Sequence, residues 1–254
     1  MRVNKTRLSV TVATIACAVA MSFAAQAAPV TFFGEDLNPG GDSHTLSSFP
    51  NSTAARNSLF TNLVGVGTET FDGFSVGTVS PTAVFNVPSG TVHAILNGGT
   101  IATGNDGAGR YPISSPNYLF AGTSSFTVNF DTPIAAFGFF GTDIGDFGGK
   151  LSLTLTDATN HVSVLAVPNL LGNCGGTPCS DPTSGSVLYY GFFDTGDTYK
   201  SIAFTNNSSV DNFGFDNFSV GTLAQVVPSV PEPASMILLA SGLAGLALTR
   251  RRRT

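Results

Sequence analysis

The chain reads as a mainly β protein: an antiparallel β-sandwich of jelly-roll type, with a short N-terminal helix and two ends that lie outside the sandwich. Three features carry that reading. From about Glu69 onward apolar and polar residues alternate with period two, and turn signals such as NGG, DTP, DATN and NNSS recur between the alternating stretches. Many of the 21 phenylalanines fall at every second position, as in AFGFF and FGFDNF, which suits a core filled from two facing sheets. With 254 residues and both ends subtracted, one domain of roughly eight to eleven strands is expected.

Taken in order, residues 1–27 form a secretory signal peptide. Arg2, Lys5 and Arg7 precede the apolar run LSVTVATIACAVAMSFA, and Ala25-Gln26-Ala27 supplies the small-x-small cleavage site, so Ala28 becomes the first mature residue. Residues 28–66 form an extended, Pro/Gly/Asn-rich segment with one short helix. Asn51 or Ser52 is the expected cap, Leu59, Phe60 and Leu63 share a face, and Gly65 ends it. The sandwich proper covers 67–222. In it, Phe126, Val128 and Phe130, then Leu151, Leu153 and Leu155, then Ile202 and Phe204 are the inward sets. Residues 223–230 are a linker.

The last segment, 231–254, has three parts. Pro231-Glu232-Pro233 precedes an uncharged run from Ala234 to Thr249, followed by Arg250, Arg251, Arg252 and Arg253. As a helix the run spans about 24 Å at ~1.5 Å per residue, close enough to a ~30 Å hydrocarbon core for a transmembrane helix with thinning and snorkelling arginines. Arginines beside a span stay on the cytoplasmic side, so the rest of the chain lies across the inner membrane.

These parts, VPEP followed by an apolar helix and a terminal arginine cluster, resemble the PEP-CTERM sorting signal of Gram-negative bacteria. The resemblance implies that an exosortase, a membrane-embedded protease, recognises the tail and cuts at or near Pro231-Glu232-Pro233. FFGEDLNPGG, GVGTETFDGF, AFGFFGTDIGDFGGKLSLTLTD and FGFDNFSVG together resemble an uncharacterised group of exported PEP-CTERM proteins, a likeness that implies no activity.

Charge follows from processing. The whole chain has 11 basic and 16 acidic residues. Loss of Arg2, Lys5, Arg7 and Arg250 to Arg253 leaves four basic ones, and loss of Glu232 leaves fifteen acidic ones, a net charge of about −11. Nucleic acid is excluded as a partner, because phosphate neutralisation needs a cluster of Lys and Arg. Of the cysteines only Cys174 and Cys179 survive export, and a pair this close in an exported protein reads as a small disulfide pinning a Gly/Pro-rich loop.

No cofactor is required by the sequence. Calcium is the one metal with candidate ligands: Glu69 or Asp72, where the sandwich begins, could meet Asp216 or Asn217, where it ends. An enzyme is not expected. His44, His93 and His161 lie in separate segments, and neither a Gly-x-Ser-x-Gly elbow nor a His-Glu-x-x-His helix is present. The expected function is therefore an exported cell-surface or matrix protein with a non-catalytic structural or adhesive sandwich. The alternative is a calcium-assisted module binding exopolysaccharide, for which the chain lacks tryptophan and offers only five tyrosines as stacking platforms.

Overall fold

The computed structural model describes residues 28–122, 125–145, 147–170 and 184–227. The strands are β1 (Val30–Asp36), β2 (Gly67–Glu69), β3 (Thr82–Val87), β4 (Gly90–Asn97), β5 (Thr100–Thr103), β6 (Asn117–Ala121) and β7 (Phe126–Ile134). They continue with β8 (Ala136–Thr142), β9 (Leu151–Asp157), β10 (Val162–Ala166), β11 (Val187–Phe193), β12 (Tyr199–Asn206) and β13 (Phe213–Gly221). One helix, α1 (Pro50–Phe60), lies between β1 and β2. All named pairings are antiparallel, in a seven-stranded sheet ordered β1-β11-β8-β13-β6-β5, with β2 also on β13, and a six-stranded sheet ordered β10-β9-β12-β7-β4-β3. The described residues hold thirteen strands, more than the eight to eleven expected, partly because short β2 and β5 carry too few residues to show a period.

The two sheets enclose a phenylalanine core. Phe126 and Phe204 stack at 4.4 Å between ring centroids on the six-stranded side, and Phe137, Phe139, Phe215 and Phe218 meet them from the other sheet, mostly edge to face. On β13 the inward residues are Phe213, Phe215, Phe218 and Val220. Their spacing slips by one between 215 and 218, where a bulge puts Asn217 at a φ of 51°. The bulge keeps both phenylalanine pairs in the core.

Residues 28–66 are integral to this body. β1 pairs with β11 over its whole length, and α1 lies across β1 and β11. The helix is not capped by its own Asn51 or Ser52: Pro50 occupies the first turn, and the carboxylate of Asp36 accepts from the backbone N–H of Asn51 (3.0 Å) and Ser52 (2.8 Å). An acid brought in from β1 thus supplies both the missing acceptors and the negative charge that a helix start favours. Ala55, Leu59 and, beyond the helix, Leu63 are buried, while Phe60 is half-buried. Gly138 and Gly191 face each other on β8 and β11 directly under Leu59, where a Cβ on Gly191 would stand 2.7 Å from the leucine. Glycine at both places lets the helix seat on the sheet.

The stretch after the sandwich is held rather than loose as far as it is described. Val64 donates to Gln225 O (2.7 Å), Val227 donates to Asn62 O (2.9 Å), and the Gln225 amide donates to Gly65 O (2.6 Å). Among the described residues no helix is long and apolar enough to cross a membrane. The expected span from Ala234 to Thr249 lies outside them, as do Ala25 and Ala27, Cys174 and Cys179, Pro231 to Pro233 and Arg250 to Arg253.

Candidate functional site

The strands carrying the expected calcium ligands do come together, since β2 pairs with β13 and Glu69 stands opposite Phe218. Their carboxylates do not converge. Glu69 turns away to accept from Phe71 N (2.8 Å) and Val84 N (3.2 Å), and Asp72 accepts from Asn117 N (3.0 Å). Asp216 accepts from the backbone of Ile113 and Ser114, both at 2.8 Å, and the Ser114 hydroxyl donates to Asn217 at 2.9 Å. Each acid is thus a strap for a different backbone segment. Among the described residues no group of three or more His, Cys, Asp or Glu is placed to hold a metal ion, and the carboxylates of Glu69, Asp72 and Asp216 are engaged by backbone amides.

Asp216 is also perturbed by its burial. Burial pushes its carboxyl up to about 7, against the pull of the Ser114, Asn217 and Ile113 amides. On the outer face of the six-stranded sheet Asp131 shows the opposite. There slight desolvation is outweighed by the His93 N–H (2.9 Å) and ring (2.8 Å), which hold the carboxyl below its ordinary value.

The turn around Asn38 is structural. Asn38 is fully buried and its side chain donates to Gly41 O and His44 O, while His44 Nδ1 lies 2.9 Å from Asn38 Oδ1. Nearby, buried Glu35 accepts from Leu170 N and the Ser186 hydroxyl, and burial raises its pKa. Asp157 accepts the His161 backbone N–H (2.8 Å), closing the β9–β10 turn, in which Asn160 adopts a φ of 67°. Its carboxylate is thereby turn chemistry.

One open depression, of about 420 Å³, lies between the starts of β1 and β10 and is lined by Ala28, Pro29, His161, Ser163, Val164, Leu165, Asp194, Asp197 and Tyr199. Asp194 in it is committed to Gly196 N (2.8 Å), Asp197 N (3.0 Å) and the Tyr199 hydroxyl (2.7 Å). Asp197 is raised by desolvation and then by the Asp194 and Asp157 charges. Spatial assembly from positions 28, 161 and 197 left no spacing that the sequence could display.

Tyr189 and Tyr190 point to opposite faces of β11, as alternation requires, and neither is a platform: Tyr189 is buried under α1 and Tyr190 in the main core. All five tyrosines of the chain are at most 2% exposed. The surface therefore offers a sugar ring neither indole nor phenol to stack on.

Comparison with known proteins places the recognisable function in the tail. Residues 229–253 match the family model described as the PEP-CTERM protein-sorting motif. The chain carries a PEP-CTERM sorting signal. No curated protein matches. Among solved structures, the K2 cleaved adhesin domain of Lys-gingipain is similar at 13% identity and a TM-score of 0.38, covering 62% of this chain and 99% of that one. A family 22 carbohydrate-binding module of Clostridium thermocellum Xyn10B is similar at 11% identity and 0.32, covering 63% and 94%. The module TmCBM61, in complex with β-1,4-galactotriose, is similar at 14% and 0.29, covering 61% and 94%. At these scores no ligand follows for the PEP-CTERM sandwich.

Proposed function

We propose that this PEP-CTERM protein is exported, held in the inner membrane by its apolar run and Arg250 to Arg253, and cut by an exosortase at or near Pro231-Glu232-Pro233. The product is delivered to the cell surface or extracellular matrix, where a jelly-roll-type sandwich serves as a non-catalytic structural or adhesive domain. The observation that carries this reading is the sorting motif over 229–253, which begins two residues after Val227, whose N–H is bonded to Asn62 O. The side-chain chemistry agrees: the acids of the β2–β13 seam and of the β9–β10 turn are used on backbone amides, which is what a scaffold does with carboxylates. Exopolysaccharide binding is not favoured over it, since every tyrosine is buried.

The test is fractionation of cells producing the full chain beside a variant carrying Pro231→Ala and Pro233→Ala. The parent should be recovered outside the inner membrane, with a mature N-terminus at Ala28 and a new C-terminus close to residue 231 by mass spectrometry. The variant should stay in the membrane, uncut. Equal fates for the two proteins overturn the sorting assignment.

A further inference from the structure

Among the described strands the two sheets end in β1, β5, β10 and β3, and three-residue β2 lies off the path with β13 as its one partner. Unpaired edge groups invite another strand, and proteins blunt them. On β3, Glu69 takes the N–H of Val84. On β5, the 77–80 segment binds alongside, with Gly77 N donating to Ile101 O (2.8 Å) and Ile101 N donating to Thr78 O (2.9 Å). On β1, Asn51 and Ser52 of α1 donate to the carbonyls of Glu35 and Gly34. Among the described residues β10 has no such device. Its hairpin bonds Asp157 N to His161 O and Val167 N to Leu151 O fix which residues face β9, and in an antiparallel ladder these alternate. Ser163 and Leu165 therefore bond to β9, whereas Val162, Val164 and Ala166 send their N–H and C=O groups outward. Among the described residues no hydrogen bond reaches those outward groups. The strand reads VSVLA, with no charge and no proline, and Val162 and Val164 are 49% and 64% exposed.

We infer that β10 is a self-association edge, and that its occupant is β10 of a second copy of this chain, paired antiparallel about a two-fold axis at Val164. Three observations select a second copy. The outward groups are self-complementary: a two-fold at Val164 pairs Val162 with the partner's Ala166, Val164 with the partner's Val164, and Ala166 with the partner's Val162, giving six backbone hydrogen bonds. Side chains in that register alternate large with small, Val162 opposite Ala166 on the outer face and Leu165 opposite Ser163 on the inner one. Finally, the chain without its signal peptide is acidic whether the tail is kept (8 basic and 16 acidic residues) or lost (4 and 15) and repels its own copies, and the neutral β10 lets two meet without setting carboxylates opposite one another. Joining the two six-stranded sheets edge to edge makes one twelve-stranded sheet, a weak contact suited to the crowded setting of a surface layer. The inference deepens the structural reading of the sandwich and does not depend on the tail being cut.

Sedimentation equilibrium of the protein purified from its producing cells, released or extracted in detergent if the tail is retained, tests it. A reversible monomer–dimer equilibrium is expected to strengthen with salt as the acidic bodies are screened. Val164→Lys should raise the dissociation constant about tenfold or more by setting two ammonium groups opposite each other. Val84→Lys, on the blunted β3 edge, should leave it unchanged. Val164→Cys should cross-link within the dimer on mild oxidation, since paired Cα atoms of this kind lie about 5.5 Å apart. A monomer at every concentration into the high micromolar range, or a dimer indifferent to Val164→Lys, overturns the assignment. Retention of the tail in the fractionation experiment leaves this outcome readable, so the two claims fail separately.

Discussion

The seven-stranded sheet carries α1 and a second apolar cluster on its outer face, whereas the six-stranded sheet turns its outer face to solvent. The consequence is visible strand by strand. β8 and β11 are buried at every residue, AFGFFGT and VLYYGFF, because their outward Phe140, Val187 and Tyr189 pack under the helix. β3, β4 and β9 alternate cleanly, with Ser152 and Thr154 partly exposed opposite Leu151, Leu153 and Leu155. A sheet covered on both faces loses the period-two signature that a half-covered sheet keeps. The covered face also tolerates less, and its neighbours should respond accordingly.

The largest effect is expected where both sheets meet. Phe139→Ala removes a ring that touches Phe204, Phe215 and Tyr190 and should cost about 3–5 kcal/mol in chemical denaturation. Titration should separate the two outer faces next. The folded protein holds the Asp216 proton up to about pH 7, above the unfolded value near 3.8. Its contribution is therefore fully present below about pH 4 and lost as pH rises through 7, a slope that a carboxyl-carbon NMR titration assigns to this residue. Exposed Asp131, with its lowered pKa, should titrate below its ordinary range.

Smaller effects sharpen the contrast. Gly191→Ala drives a methyl into Leu59 and the Phe137 carbonyl and should cost about 1–3 kcal/mol, with the helix signal lost first on heating. Tyr189→Phe should stabilise by about 1 kcal/mol, because the buried Tyr189 hydroxyl meets no hydrogen-bond partner among the described residues. On the open sheet, Thr154→Ala should move the unfolding midpoint by no more than about 0.5 kcal/mol. A large loss there would mean that this face, too, is covered in the protein as it exists.

The same contrast explains what could be read from residues alone. β7, β9 and β12 declared themselves through Phe126/Val128/Phe130, Leu151/Leu153/Leu155 and Ile202/Phe204, since only one face of each had to be apolar. The tail was legible because its three parts are contiguous in the sequence. The helix cap was not, because Asp36 reaches α1 from a different element, 15 and 16 residues upstream of the groups it binds. Nor was the fate of Glu69, Asp72 and Asp216. Proximity of their strands followed from the pattern, but which way each carboxylate turns depends on amides at Val84, Asn117 and Ser114 that only the closed sandwich brings near.

The clasp between residues 62–65 and 225–227 sets the length of a leash. Four residue steps separate Val227 from Pro231, and a fully extended chain covers at most about 14 Å over that distance. An enzyme gripping Pro231-Glu232-Pro233 would therefore work within about 14 Å of the folded body, with clearance for little more than one layer of its own backbone. Inserting a flexible segment after Val227 would lift that ceiling, and the rate of release should rise with the added reach until the motif is no longer crowded.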